Sequence, residues 1–475
     1  MFVNREAQLE ELRALAEREA PVLALLYGRR RVGKTFLLDH TWDEDRRFYF
    51  LAADTTAEQN RQELLRELAS WSKSELSFED YPTWRTVFRL LADMADVQPL
   101  VVVLDEFQYL MGDESVVSQL NAVWDREVGA RNLTLVLCGS EVATMEALES
   151  GDSPLFGRIG WRERLGPFDY FDAARMVPDR PPREHAYLYG VFGGTPRYLS
   201  AIDRGEDLRD AVIRNLLSPR GQVHLQLENI IEQERGIRST SEYRAVLAAV
   251  AAGNTELSRI ANAAGLGDRR DAAKRALETL EGLELIRRER NFRPGRTAPW
   301  RFRISDNAIR FWYHFVHPNR SQLATDEAER VWDQRVQPAL DSYMGKVFED
   351  ICREAYSRHH HGWGLPGVTD WSRWEGQDRN RRSIEIDIVA ELDDRKLLTG
   401  EIKWSTKPKG RDVHLGLLRD LEDLSRSAQA WAREALESTS SQGHIYFSAA
   451  GFTADFIEEA GEDDRLYLLD LNDIF

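Results

Sequence analysis

Residues Gly28-Arg29-Arg30-Arg31-Val32-Gly33-Lys34-Thr35 satisfy the pattern G-x-x-x-x-G-K-[ST] at every fixed position. The chemistry of that spacing is phosphate binding. Two glycines let backbone N–H groups curl around phosphate oxygens without a Cβ in the way. A helix opening at Lys34 adds the partial positive charge of its N-terminus. Lys34 is expected to reach the β- and γ-phosphates of ATP, and the Thr35 hydroxyl to ligate Mg²⁺. Downstream, Val101–Leu104 runs into Asp105 and Glu106. Two carboxylates at the C-terminal end of a buried strand lie where open α/β sheets bind ligands. Asp105 is read as the Mg²⁺ ligand and Glu106 as the group that polarises the attacking water. Ser140, after the apolar run Leu133–Leu137, is either a γ-phosphate sensor or part of a strand-end turn. Arg158 is either an arginine finger or a plain surface arginine.

A second set of chemical residues lies far along the chain. Glu385-Ile386-Asp387-Ile388-Val389 and Gly400-Glu401-Ile402-Lys403-Trp404 alternate acid or base with apolar residues, as half-buried strands do. Period-2 alternation puts Glu401 and Lys403 on one face. A turn at Asp393–Asp394 would bring Asp387 to them. Hydrolysis of a phosphodiester needs carboxylates to hold a metal ion and help in forming hydroxide. Asp387 and Glu401 are the expected ligands of Mg²⁺ or Mn²⁺. Lys403 is expected to orient or activate the water and to offset transition-state charge, with Glu349 assisting from a preceding helix. The competing reading is an exposed, salt-bridged strand pair. His359-His360-His361 reads as a polar loop rather than a metal site, and Trp363, Trp371 and Trp374 as packing around a loop.

The elements that must position these groups follow from periodicity. A helix is expected over 4–19, with strands at Pro21–Tyr27, Phe48–Ala52, Val101–Leu104 and Leu133–Leu137, separated by helices in the alternation of a parallel α/β sheet. From about 184 the chain turns helical. Three helices over 241–290 and a turn-rich hairpin from Arg287 to Arg303 read as a winged helix. Arg269, Arg270, Lys274 and Arg275 would face solvent on its second helix and contact DNA phosphates; the alternative is an internal lid. A third region begins near 335, with strands at 383–391, 396–404 and 443–448 and a helix at about 413–435. The expected domains are 1–183, 184–334 and 335–475.

At 475 residues, 42% of them hydrophobic, the chain is long enough for several cores. No run approaches the ~20 apolar residues that span a bilayer, and the charged N-terminus does not read as a secretory signal. Two cysteines far apart in sequence, Cys138 and Cys352, argue against a disulfide framework, so a cytoplasmic setting is expected. The formal net charge of −17 argues against a protein coated in nucleic acid. Between Glu256 and Arg310, however, 13 Lys/Arg face 8 Asp/Glu, a local excess of +5 in the winged-helix region.

Phe2-Val3-Asn4-Arg5-Glu6, the phosphate loop, Leu104-Asp105-Glu106-Phe107-Gln108-Tyr109-Leu110 and Gly193-Gly194-Thr195-Pro196-Arg197-Tyr198-Leu199 together resemble the archaeal-type ATPase family, related to the AAA+ and STAND NTPases. Ser305-Asp306-Asn307 through Phe311-Trp312-Tyr313 resembles the segment after that family's winged helix. The resemblance implies ATP binding and hydrolysis, a Gly-x-Pro turn with Pro196 near the nucleotide, and assembly with a second copy or a protein partner. The C-terminal third resembles a restriction-endonuclease-like domain, and Asp387…Glu401-x-Lys403 is similar to the PD-(D/E)xK nucleases, with Ile386 where the name-giving proline would stand. The combined expectation is an ATPase coupled to a metal-dependent DNA nuclease. A second expectation is a STAND-like switch whose C-terminal domain binds without cutting. A small-molecule kinase is the third, and it offers no role for the C-terminal half.

Overall fold

A computed structural model describes residues 3–112, 114–232, 240–295, 298–325, 327–427 and 429–475. Phe2 of the opening motif and Arg296 and Thr297 of the expected wing lie outside the described residues. The chain forms two compact units, Met1–Pro167 and Phe168–Phe475.

The first unit is built on five parallel strands: β1 (Val22–Tyr27), β2 (Arg47–Leu51), β3 (Leu100–Asp105), β4 (Leu133–Gly139) and β5 (Ile159–Arg164), in the order β2-β3-β4-β1-β5. Helices cover both faces, so the inner strands read as unbroken apolar runs. Alternate residues feed two cores. Ala24, Leu26, Val101, Val103 and Val136 pack with Leu12, Leu15, Leu37 and Leu38. Leu23, Leu25, Val102, Leu104 and Leu135 pack with Leu64, Leu68, Phe88 and Leu91. The helix expected over 4–19 spans Glu6–Ala16. Strand β5 escaped the periodicity reading: its burial alternates residue by residue, with Arg162 and Arg164 among its residues, because it lies at the sheet edge.

The second unit begins with short helices, including Pro182–Phe192, and continues into the segment expected to form a winged helix. Helices Thr240–Ala251, Leu257–Ala263 and Arg270–Gly282 precede the antiparallel hairpin β6 (Ile286–Glu289) and β7 (Arg301–Ile304). Asp306 accepts from the backbone N–H groups of Ala308 and Ile309, capping the helix Asn307–Phe311. The 20-residue helix Leu340–His359 leads to a mixed sheet of β8 (Val368–Gln377), β9 (Ser383–Leu392), β10 (Leu397–Lys403), β11 (Ser441–Ser448) and β12 (Leu466–Asp470). Its order is β12-β11-β10-β9-β8; β8, β9 and β10 are antiparallel, and β10, β11 and β12 parallel.

Trp371 and Trp374 lie on strand β8, and Trp374 packs as a buried side chain against Trp431, 5.9 Å between ring centroids. The triple histidine is no free loop: His359 ends the long helix, with His360 and His361 in the turn after it. Cys138 and Cys352 are free and buried. Among the described residues no helix is long and apolar enough to cross a membrane.

Candidate functional site

In the first unit the strand register gathers the chemical residues at the C-terminal sheet edge. Tyr27 pairs with Gly139, and the Gly28 N–H donates to the Gly139 carbonyl, so the loop after β1 adjoins the end of β4. Gly28 has φ +152°, and a Cβ there would come within 2.0 Å of the Leu165 carbonyl oxygen, so the cradle demands glycine. Lys34 is only 7% exposed; its ammonium donates to the carbonyls of Gly28 (2.7 Å) and Arg29 (3.1 Å). The Thr35 hydroxyl donates to Asp105 at 3.1 Å, and the Tyr49 hydroxyl donates to the same carboxylate oxygen. Burial, then the Asp105 charge, push the Tyr49 phenol above its usual range. A hydroxyl and a carboxylate so placed are a donor set that fits Mg²⁺.

Glu106 adopts φ 53°, a left-handed conformation that costs a non-glycine residue of order 1–3 kcal/mol and marks functional turns. Its carboxylate accepts from Ser140 Oγ at 2.6 Å and from the Gln108 amide, which also donates to Ser140 at 3.1 Å. Ser140 is therefore a partner of Glu106, and Gln108 and Tyr49 are site residues the motif reading missed. Arg30 donates to the Tyr109 hydroxyl at 3.1 Å. Arg158 stands in an exposed ion pair with Asp125, so any role at a nucleotide requires that pair to open. Pro196 opens the short helix Pro196–Leu199 in the second unit.

In the second unit β9 and β10 pair as far as Ile388 opposite Gly400 and then part. At the fork the Asp387 carboxylate replaces a backbone acceptor: it takes the Ile402 N–H at 3.0 Å and the Lys403 ammonium at 3.0 Å. Lys403 also donates to Glu401. Burial works against the Asp387 charge, but Lys403 and the Ile402 N–H outweigh it and hold the carboxyl below its ordinary value. Burial and then the Asp387 charge push Glu401 up to about 8. Lys403 is penalised by burial yet raised by both carboxylates, so it stays an ammonium ion. A lysine held in that state offsets negative charge.

Oxygen atoms of Glu349, Glu385 and Asp387 lie within 4.8 Å of one another, a spacing that fits one divalent cation. Glu401 is not in that trio. Glu385 was not singled out from sequence, although it sits two residues before Asp387 on the same face of β9. Lys346 bridges Glu349 (2.8 Å) and Glu385 (3.5 Å).

Several basic residues of the wing are paired with carboxylates around the mixed sheet. Arg303 meets Glu349 at 3.0 Å, and Arg287 meets Asp350 on the same helix. Arg293 bonds Glu391 (3.0 Å) and Glu434 (2.7 Å). Phe292 is buried in the sheet core against Trp431, and its N–H donates to the Arg373 carbonyl. Arg269, Arg270, Lys274 and Arg275 are exposed, with Arg269 paired to Glu242. At the other side of Lys403, Arg183 of the helix Pro182–Phe192 lies 4.4 Å over the Trp404 ring and donates to the Ser405 carbonyl.

Residues 2–202 match a family model described as an ATPase domain predominantly from Archaea. That segment is a P-loop ATPase domain. Residues 312–413 match a second model, described as Archaea bacterial proteins of unknown function. An uncharacterized protein of Methanocaldococcus jannaschii is 27% identical over 435 residues, 90% of this chain and 92% of its own length. The similarity thus runs through the ATPase domain and most of the second unit. A solved Walker-type ATPase of Pyrococcus abyssi is 23% identical with a TM-score of 0.50, covering 66% of this chain and 96% of that one, a likeness of fold. The ORC2 protein of Aeropyrum pernix, in ADPNP–ADP complexes, is 14% identical with a TM-score of 0.44, covering 68% and 95%.

Proposed function

We propose that this chain couples ATP hydrolysis by its P-loop ATPase domain to metal-dependent hydrolysis of DNA phosphodiesters by its C-terminal domain. The observation that carries the second half is the fork of β9 and β10, where Asp387, Glu401 and Lys403 converge beside Glu349 and Glu385. A mixed sheet entered through a long helix and an antiparallel hairpin supports the restriction-endonuclease-like reading.

At the ATPase site Thr35 and Asp105 would hold Mg²⁺, and Lys34 would leave the Gly28 and Arg29 carbonyls for phosphate oxygens. The ion supplies charge neutralisation on the phosphates. Glu106, aimed by Ser140 and Gln108, would orient the attacking water. Arg158 would contribute in trans from a second copy.

At the second site Glu349, Glu385 and Asp387 would hold Mg²⁺ or Mn²⁺, with Glu401 joining on loss of its proton. Metal there lowers the pKa of bound water and polarises the phosphate. Water oxygen attacks phosphorus as one P–O ester bond breaks, a proton of that water ends on the departing ester oxygen, and Lys403 offsets the charge that builds on the phosphate. Arg183 stacked on Trp404 ties the segment that follows the matched ATPase strands to the residue next to Lys403, a route for gating. Arg269, Arg270, Lys274 and Arg275 offer an exposed basic face for DNA backbone contact.

One observation favours the second reading, a switch that binds without cutting: Arg303 and Arg373 already neutralise Glu349 and Glu385. The deciding test is incubation of linear, circular and single-stranded DNA with Mg²⁺ or Mn²⁺. Cleavage by wild type and none by Asp387→Asn supports the nuclease. No cleavage of any DNA, with ATP turnover intact, selects the switch.

A further inference from the structure

Two cavities share Glu349, Asp387 and Ile402 in their walls. One, about 380 Å³, holds the catalytic cluster with Lys346, Lys403 and Lys409. The other, about 350 Å³, lies between the wing and strand β8 and is lined by Arg288, Arg290, Arg353, Arg373, Trp300 and Trp371. Nothing in the hydrolytic chemistry requires the second cavity.

Five arginines and five carboxylates share its wall, and its aromatic groups are ones on which a base can stack. Trp300 is 38% exposed, unusual for so large an apolar ring. The Arg290 guanidinium lies 3.6 Å from its centroid and Arg288 4.8 Å. Planar guanidinium and indole surfaces are the groups on which bases stack, and arginine forks recognise phosphate. Arg303 and Arg373 are engaged by Glu349 and Glu385, but other donors remain. Arg290 Nε is buried without a hydrogen-bond partner, and Arg353 forms no ion pair or hydrogen bond among the described residues. The volume is at the low end for small-ligand pockets, ~300–1,000 Å³, which admits one nucleotide and excludes a duplex.

We propose that this cavity takes an unpaired DNA nucleotide next to the scissile phosphate, so that the carboxylate cluster acts on single strands or frayed ends. The nucleotide's phosphate meets Arg290 and Arg353, its base stacks at Trp300, and the adjoining phosphate lies at Asp387. The proposal rests on the nuclease reading for that last placement, and its binding test is independent of cleavage.

The test is fluorescence anisotropy of a labelled single-stranded 12-mer, and of a duplex closed by hairpins at both ends, titrated with the full chain in EDTA. Wild type should bind the single strand at least tenfold more tightly than the closed duplex. Trp300→Ala should weaken that binding about tenfold, the loss of one stacking contact. Arg290→Gln and Arg353→Gln should weaken it severalfold, and Trp300→Phe should restore most of it. Equal affinity in Trp300→Ala and Arg290→Gln, with cleavage by wild type intact, overturns the cavity assignment and leaves the nuclease standing. The same holds where only Arg270→Gln and Arg275→Gln lose affinity. If the cavity variants lose binding while wild type cuts nothing, the nuclease reading falls and the cavity remains a single-strand site. Unchanged thermal unfolding of the variants excludes misfolding as the cause.

Discussion

Asp350→Ala tests the attachment of the wing to the C-terminal domain. Asp350 is buried, with Arg287 on one carboxylate oxygen and Arg310 on the other at 2.9 Å. Removing it strands two arginines. Breaking a buried pair from one side costs ~3–5 kcal/mol. The lower end applies, about 3 kcal/mol, because Arg287 keeps Glu289 at 2.8 Å and Arg310 keeps the Ile304 carbonyl at 3.0 Å. Burial opposes the Asp350 charge, but Arg287 and Arg310 outweigh it and hold the carboxyl below its usual value. A lowered folded-state pKa gives stability that is present above the unfolded value and lost as pH falls through the folded one. The gap between wild type and Asp350→Ala should therefore be constant from pH 5 to 8 and shrink only under strongly acid conditions. Urea unfolding followed by tryptophan fluorescence measures it. A variant within about 0.5 kcal/mol of wild type, the size of an ordinary surface substitution, would refute the buried-pair argument. So would a gap that changes between pH 6 and 8.

Glu354 gives the opposite pH sign. Burial raises its carboxyl to about 8 despite donation from the Tyr170 N–H and the Tyr189 hydroxyl, so wild type should lose about 1 kcal/mol between pH 7 and 9. Glu354→Gln should lack that loss, read as a flatter melting temperature over the same range; equal slopes in both proteins would contradict it. Arg303→Gln removes a cation from Glu349 and should tighten Mn²⁺ binding severalfold by calorimetry, whereas unchanged or weaker binding would show that Glu349 is not a ligand. Arg158→Ala should leave ATP affinity intact and lower turnover if the residue acts on a neighbour's nucleotide; parallel loss of both would rule that role out.

The phosphate loop, Asp105 with Glu106, and the convergence of Asp387 with Glu401 and Lys403 were legible because each depends on fixed spacing within one strand or one hairpin. Glu385 was equally readable in principle, two residues from Asp387, but Glu401-x-Lys403 drew the reading to β10. Strand β5 and its charged residues looked like loop because an edge strand needs apolar residues only at alternate positions. The docking of the wing had no local signal. Arg303 and Glu349, or Phe292 and Trp431, are far apart in sequence, and nothing in a run of arginines distinguishes a DNA contact from a buried ion pair. Tyr49 and Gln108 were hidden for a related reason: each acts by holding Asp105 or Glu106 rather than by carrying a motif position.

Whether ATP turnover governs DNA cleavage in one chain is read from the rate of single-strand cleavage with Mg²⁺, with and without ATP, for wild type, Lys34→Ala and Asp387→Asn. ATP should change the wild-type rate, Lys34→Ala should cut at a rate indifferent to ATP, and Asp387→Asn should hydrolyse ATP without cutting. Cleavage that ATP leaves unaltered in wild type, or that survives in Asp387→Asn, would contradict the proposed function.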